Sequence, residues 1–110
     1  MASIAQNLNL KPWNEVDAQV EVTSGYASDL LSDVLAKGIS GAIWVTNQKH
    51  VNIIGVAVML SLAGVVIAGG IEPDENTVEK SKEEAVPLYT TEMSLYETVS
   101  KLHDLGIGSC

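Results

Sequence analysis

Four short polar stretches interrupt a largely apolar sequence: SGYASD (24–29), TNQKH (46–50), GGIEPD (69–74) and TTE (90–92). They hold the residue types that bind small ligands. Tyr26, Ser28 and Thr46 offer hydroxyls, Gln48 an amide, Asp29 a carboxylate, and Gly69 and Gly70 an approachable backbone. Each stretch leads into a segment of helical character, and the free N–H groups of a helix N-terminus suit an anion. The chemistry indicated is binding of a small anionic ligand or nucleotide, with Tyr26, Ser28, Asp29, Thr46, Gln48, Gly69 and Gly70 as candidate contacts. The same residue types also cap helices and form turns in any α/β protein.

Catalysis is less well served. There is no G-x-x-x-x-G-K-[ST] or G-x-G-x-x-G phosphate loop and no G-x-S-x-G elbow, and AGG at 68–70 is too short to replace them. A small phosphoryl- or acyl-transfer enzyme using Asp29, Gln48 or His50 would lack a base–nucleophile pair, so a non-enzyme is expected. His50 and His103 lie in separate segments with no Cys or further His at ligand spacing, which argues against zinc. His103 suits the C-terminal end of a helix, where the dipole favours a cation. Asp29 and Asp33 are one helical turn apart, a spacing that holds a cation or simply opens a helix. Cys110, the one cysteine, reads as incidental. No metal and no cofactor are expected.

The elements that must position these residues alternate. SIAQNL (3–8) has Ser3 and Gln6 at capping-box spacing and reads as a short helix. EVDAQVEVT (15–23) alternates apolar and polar residues, the pattern of a half-buried strand. Ser28 or Asp29 then caps a helix with an apolar stripe of Leu30, Leu31, Val34 and Leu35, stopped by Gly38. AIWVT (42–46) reads as a strand buried on both faces. A polar helix follows Pro73, anchored by Val78 and Ala85, and VPLYTT (86–91) is a last strand. A closing helix carries a Ser94/Glu97 capping box, an apolar face of Leu95, Val99 and Leu102, and Gly106 as its stop.

The stretch from Val51 to Gly70 contains no charge and matches the roughly 20 residues of a bilayer span. Four glycines, Asn52 and Ser61 lower its hydrophobicity, and removing it would split the strand–helix series. A helix over about 52–63, a break at Gly64 and a strand ending in Gly69-Gly70 fit better. The predicted fold is a three-layer α/β sandwich, with a mainly parallel sheet of about four strands and helices on both faces, in one domain over 1–110. The 52–63 helix is apolar nearly all round, which points to a second copy packed against it in a two-fold homodimer.

Composition narrows the partners. Fourteen acidic against six basic residues give a net charge of -8, which repels nucleic acid and anionic membrane surfaces. A lone cysteine fits a reducing compartment, and MASIAQNLNLKPW has neither basic nor apolar signal regions, so a cytoplasmic protein is expected.

The residues from about Ile4 to Leu105 resemble the DRTGG domain family. The resemblance rests on Gly25-Tyr26 with 28–34 (SDLLSDV), the Thr46-x-Gln48 turn, and Gly69-Gly70-x-x-Pro73. The five-residue string that gives the family its name is absent. These motifs are structural, so the resemblance bears on fold more than on activity. It implies an α/β domain similar to the N-terminal domain of HPr kinase. Such domains accompany phosphotransacetylases, CBS-containing pyrophosphatases and cobyrinic-acid-synthase-like proteins as regulatory or dimerising modules. Short stand-alone members resemble proteins encoded near redox and hydrogenase-type genes. The expected function is a non-catalytic regulatory or interaction module. The alternative is a structural or assembly subunit with a protein partner in a redox complex.

Overall fold

The computed structural model describes residues 1–15 and 20–110. AIWVT forms a strand whose five residues are all buried, as a short apolar run between two helix layers must be. It is the third of five strands among the described residues: β1 (Lys11–Pro12), β2 (Ser24–Ala27), β3 (Ala42–Thr46), β4 (Gly64–Ile67) and β5 (Leu88–Thr90). The sheet order is β1-β5-β4-β3-β2. β2 to β5 are parallel, and β1 runs antiparallel to β5 with Lys11 opposite Thr90.

Helices α2 (Leu31–Lys37), α3 (Asn52–Leu60) and α4 (Glu75–Glu83) connect the parallel strands in turn. All three crossovers step the same way across the sheet, so right-handed connections lay their helices on one face. Trp44, Val65, Ile67 and Leu88 point to that face and pack with Val34, Ile53, Ile54, Val56 and Ala57. Ile43, Val45, Val66 and Tyr89 point the other way, toward Met1, Ile4, Leu95 and Leu102 of the layer formed by α1 (Ala2–Asn7) and α5 (Leu95–Asp104) with its flanking residues. The result is the expected three-layer sandwich. Each fully buried Val, Ile or Leu contributes about 1.5–3 kcal/mol.

Several local expectations are corrected. The parallel partner of β3 is 24–27, in register Ser24 to Ala42 through Ala27 to Val45, and not the alternating run 15–23. Glu15 and 20–23 lie outside any strand, and 16–19 fall outside the described residues. Backbone pairing decides here: Gly25 donates to the Gly108 carbonyl at 2.8 Å and accepts from the Cys110 amide at 3.0 Å, so 24–27 is hydrogen-bonded on both sides. β1 makes a fifth strand that two residues, one a proline, do not announce. Ser3 does not cap α1, which starts after Met1; its carbonyl and hydroxyl instead accept from the side-chain Nδ2 of Asn7. Leu30, rather than Ser28 or Asp29, occupies the N-cap of α2, because both side chains bond elsewhere. Within that predicted stripe, Leu30 is 64% exposed while Val34 is fully buried.

The 51–70 stretch does divide, but at Ser61, whose φ of 53° ends α3 in the left-handed region. Gly64 belongs to β4, where a Cβ would stand 3.2 Å from the Pro87 carbonyl oxygen. No helix among the described residues is long and apolar enough to cross a membrane. α4 anchors through buried Thr77 and Ser81, with Val78 half-buried and Ala85 exposed. Polar side chains serve there because each has a partner: Thr77 donates to the Lys49 carbonyl at 2.8 Å and Ser81 to that of Val78 at 2.6 Å. In α5, Thr98 and Leu102 are buried while Val99 is exposed. Its Ser94/Glu97 capping box forms as expected, and Gly106 beyond it takes φ 87°.

Candidate functional site

Parallel strands place their carboxyl ends on one edge of the sheet, where ligands of open α/β sheets bind. Ser28-Asp29 and the other three expected polar stretches lie on that edge, while 24–27 form β2 itself. Side-chain and backbone hydrogen bonds join them in turn. Asp29 Oδ1 accepts from the Thr46 hydroxyl at 2.9 Å and from the Asn47 amide at 2.7 Å. Gln48 Nε2 donates to the Asp29 carbonyl at 2.9 Å, and the Gln48 amide donates to Thr46 Oγ1 at 3.1 Å. The Trp44 indole donates to the Ser28 carbonyl at 2.9 Å. Ser28 itself accepts from the Leu30 amide at 3.2 Å.

The stitching continues across the sheet. Asn47 Nδ2 donates to the Ala68 carbonyl at 2.8 Å. Gly69 and Gly70, at φ 84° and 72°, donate to the carbonyls of Met93 and Thr91. Beyond β3, His50 Nδ1 lies 2.7 Å from Asp74 Oδ2, and Lys49 Nζ lies 3.8 Å from Asp74 Oδ1. The Asp74 amide donates to the Lys49 carbonyl, which fixes the start of α4 against this loop.

The structure therefore brings Asp29, Thr46 and Gln48 into one hydrogen-bonded cluster, with Ser28 at its side. Gly69 and Gly70 are a strand away, linked through Asn47. Tyr26 faces elsewhere: its hydroxyl donates to Asp33 Oδ2 at 2.7 Å, and Lys37 Nζ lies 3.2 Å from the other carboxylate oxygen. The Tyr26 hydrogen bond holds the Asp33 carboxyl below the usual range, with Lys37 adding to it. That same bond raises the Tyr26 phenol and, from the far side, Asp33 raises the Lys37 ammonium. Asp29 and Asp33 thus face different partners, and among the described residues no three acidic, His or Cys groups converge as a metal site.

Residues that the sequence did not single out complete the edge. Trp44 and Asn47 join the network through the Ser28 carbonyl, Asp29 and the Ala68 carbonyl; a buried indole needs an acceptor, which is the one signal in AIWVT that foretells the Ser28 contact. Because the parallel strands follow one another in a single direction, the edge has no reversal point to open a central crevice. Two grooves among the described residues lie at the flanks of the sheet. One, of about 220 Å³, is lined by Lys11, Trp13, Gly70, Glu72, Thr90 and Glu92 among others. The other, of about 300 Å³, lies between β2 and α5, over Gly25, Ala27 and Val45 and beside Leu102 and His103.

No protein-family model matches this chain, and no curated protein matches it. Among solved structures, it is similar to the CBS and DRTGG domains of the regulatory region of Clostridium perfringens pyrophosphatase, determined with the activator diadenosine tetraphosphate. The TM-score is 0.73 at 13% sequence identity. The match covers 93% of this chain and 45% of that one, so this chain spans less than half the length of its structural neighbour. At this identity the likeness shows a fold related to that DRTGG-containing region.

Proposed function

We propose that residues 1–110 form one non-catalytic regulatory or interaction domain of the cytoplasm, acting as a homodimer and responding to a small anionic ligand or nucleotide at the carboxyl edge of its sheet. The observation that carries this reading is the stitched edge itself. Asp29, Thr46, Asn47 and Gln48 bind the loops that launch α2 and α3 to each other and to the end of β4. A ligand that competes for those bonds acts on several elements at once, which is what a regulatory site requires. Lys49, next in sequence to Gln48, brings an ammonium to this edge of an acidic molecule, 3.8 Å from Asp74 Oδ1. The structural neighbour is a regulatory region solved with a nucleotide activator, which agrees with this reading.

The dimer rests on α3. Its outward residues Gly55, Val58 and Met59, with Val51 at its N-cap, are exposed and uncharged, Met59 at 74%. α4, in the same layer, turns Glu75, Glu79, Lys82 and Glu83 outward. Two copies that each carry -8 approach best through a face without charge.

The ligand reading is tested by thermal shift and amide NMR with diadenosine tetraphosphate, ATP and acetyl phosphate. Saturable stabilisation, with shifts centred on Asp29, Asn47 and Gln48, is expected. No effect at millimolar concentration overturns it.

A further inference from the structure

The 220 Å³ groove where β1 meets the carboxyl end of β5 is organised around a cation on an aromatic ring. The Lys11 ammonium stands 4.3 Å from the centroid of the Trp13 ring. The indole is fixed by its Nε1–H, which donates to Thr90 Oγ1 at 2.8 Å, and Thr90 is buried. Trp faces attract ammonium and guanidinium groups through the ring quadrupole. The ring therefore already holds an alkylammonium, supplied by this chain.

The charges around it do not match that occupant. Glu72 and Glu92 line the same groove, yet among the described residues neither enters an ion pair, and nor does Lys11. Glu92 is packed closely against the main chain: a Cβ on Gly70 would stand 2.5 Å from its Oε2. Lys11 is exposed and belongs to a two-residue strand, so leaving the ring costs it this one contact. The groove thus combines a face that accepts a cation with two carboxylates that lack one, in a molecule whose net charge draws cations in.

We propose that this groove binds a small organic cation, an alkylammonium or alkylguanidinium, whose head group replaces the Lys11 ammonium on the Trp13 ring while Glu72 and Glu92 balance its charge. Its volume suits a head group with a short alkyl stem. Two carboxylates disfavour phosphate here, so this site is separate from the anion reading of the Asp29 cluster and does not rest on it.

The test uses the full chain and the NMR signal of the Trp13 indole N–H, distinguished from that of Trp44 by a Trp13→Phe variant. Butylguanidinium and butylammonium chloride are titrated at constant ionic strength, against sodium chloride and n-butanol. A saturable shift of the Trp13 indole, with a dissociation constant of about millimolar order, is expected for both cations and for neither control. The double variant Glu72→Gln/Glu92→Gln weakens binding about fivefold or more. Lys11→Met tightens it, because the competing ammonium is gone. These three side chains are exposed, so the fold survives the changes. A shift reproduced by sodium chloride, one unaffected by the double variant, or loss of binding in Lys11→Met overturns the proposal. So does inorganic phosphate shifting the same indole. A blocked Gly-Arg-Gly peptide that binds where butylguanidinium does not would assign the cation to a partner protein and overturn the small-molecule reading.

Discussion

Tyr26 donates to Asp33, and the consequence is measurable. Asp33 is held below the ordinary carboxylate range by that bond first and by Lys37 after it. A depressed folded-state value means stability that is present above the unfolded carboxylate pKa and lost as pH falls through the folded value. Tyr26 has the opposite sign: its raised phenol contributes below the ordinary value of 10.0 and loses that contribution as pH rises through the folded value. In Tyr26→Phe, the Asp33 carboxyl returns toward its ordinary value, read by carboxyl-carbon NMR, and the acid limb of the stability curve flattens. Asp29 is the more connected residue. Asp29→Ala leaves the buried Thr46 hydroxyl without its acceptor and frees the Asn47 amide. A loss of about 1–3 kcal/mol is expected in urea denaturation, with Asp29→Asn recovering part of it. Asp29, Thr46 and Gln48 were legible as a group because polar residues after a buried strand must sit at its carboxyl end. Tyr26 shares their stretch of sequence but not their cluster. A strand sends successive side chains to opposite faces, and which loops will meet depends on the sheet order.

At the scale of elements, the legible ones are those whose burial is unambiguous. AIWVT could only be covered on both faces, and Ser94 with Glu97 could close only one kind of helix start. β2 was hidden because Ser24-Gly25-Tyr26-Ala27 lacks both an apolar run and an alternation, while 15–23 alternates. Its strand character comes from pairing with β3 on one side and with Gly108 and Cys110 on the other. Gly38 shows a constraint of another kind. Its φ of -66° suits any residue, yet a Cβ there would stand 2.7 Å from the Val34 carbonyl oxygen and 2.8 Å from Leu60 Cδ1. That carbonyl is held at 2.7 Å from the Gly38 amide and cannot retreat. Gly38→Ala therefore forces α2 away from α3. A destabilisation of about 1–3 kcal/mol is expected, seen as a lower thermal midpoint. Gly55 contrasts with it, since nothing lies within 4 Å of its would-be Cβ.

For the molecule as a whole, the proposed dimer turns on the uneven outer surface of the α2–α4 layer. Met59→Glu puts a charge on the uncharged outer face of α3 without touching the core. Analytical ultracentrifugation at micromolar concentration is expected to move from dimer to monomer, with an unchanged far-UV spectrum. Added salt should strengthen association of the unaltered chain, because it screens the repulsion between two copies at -8. A monomer at all salt concentrations sinks the dimer. The closure of β2 by the segment around Ser109 has a kinetic meaning as well. Ser24 and Cys110, whose side chains meet at 3.3 Å, are 86 positions apart. The chain cannot complete its sheet by adding neighbours in order; that edge waits for α5 to dock. Contacts of such long range slow folding, and until they form, β2 presents an unpaired edge to any other chain nearby. Hydrogen exchange at the Gly25 amide reports that late event, and its protection should appear after that of β3 and β4.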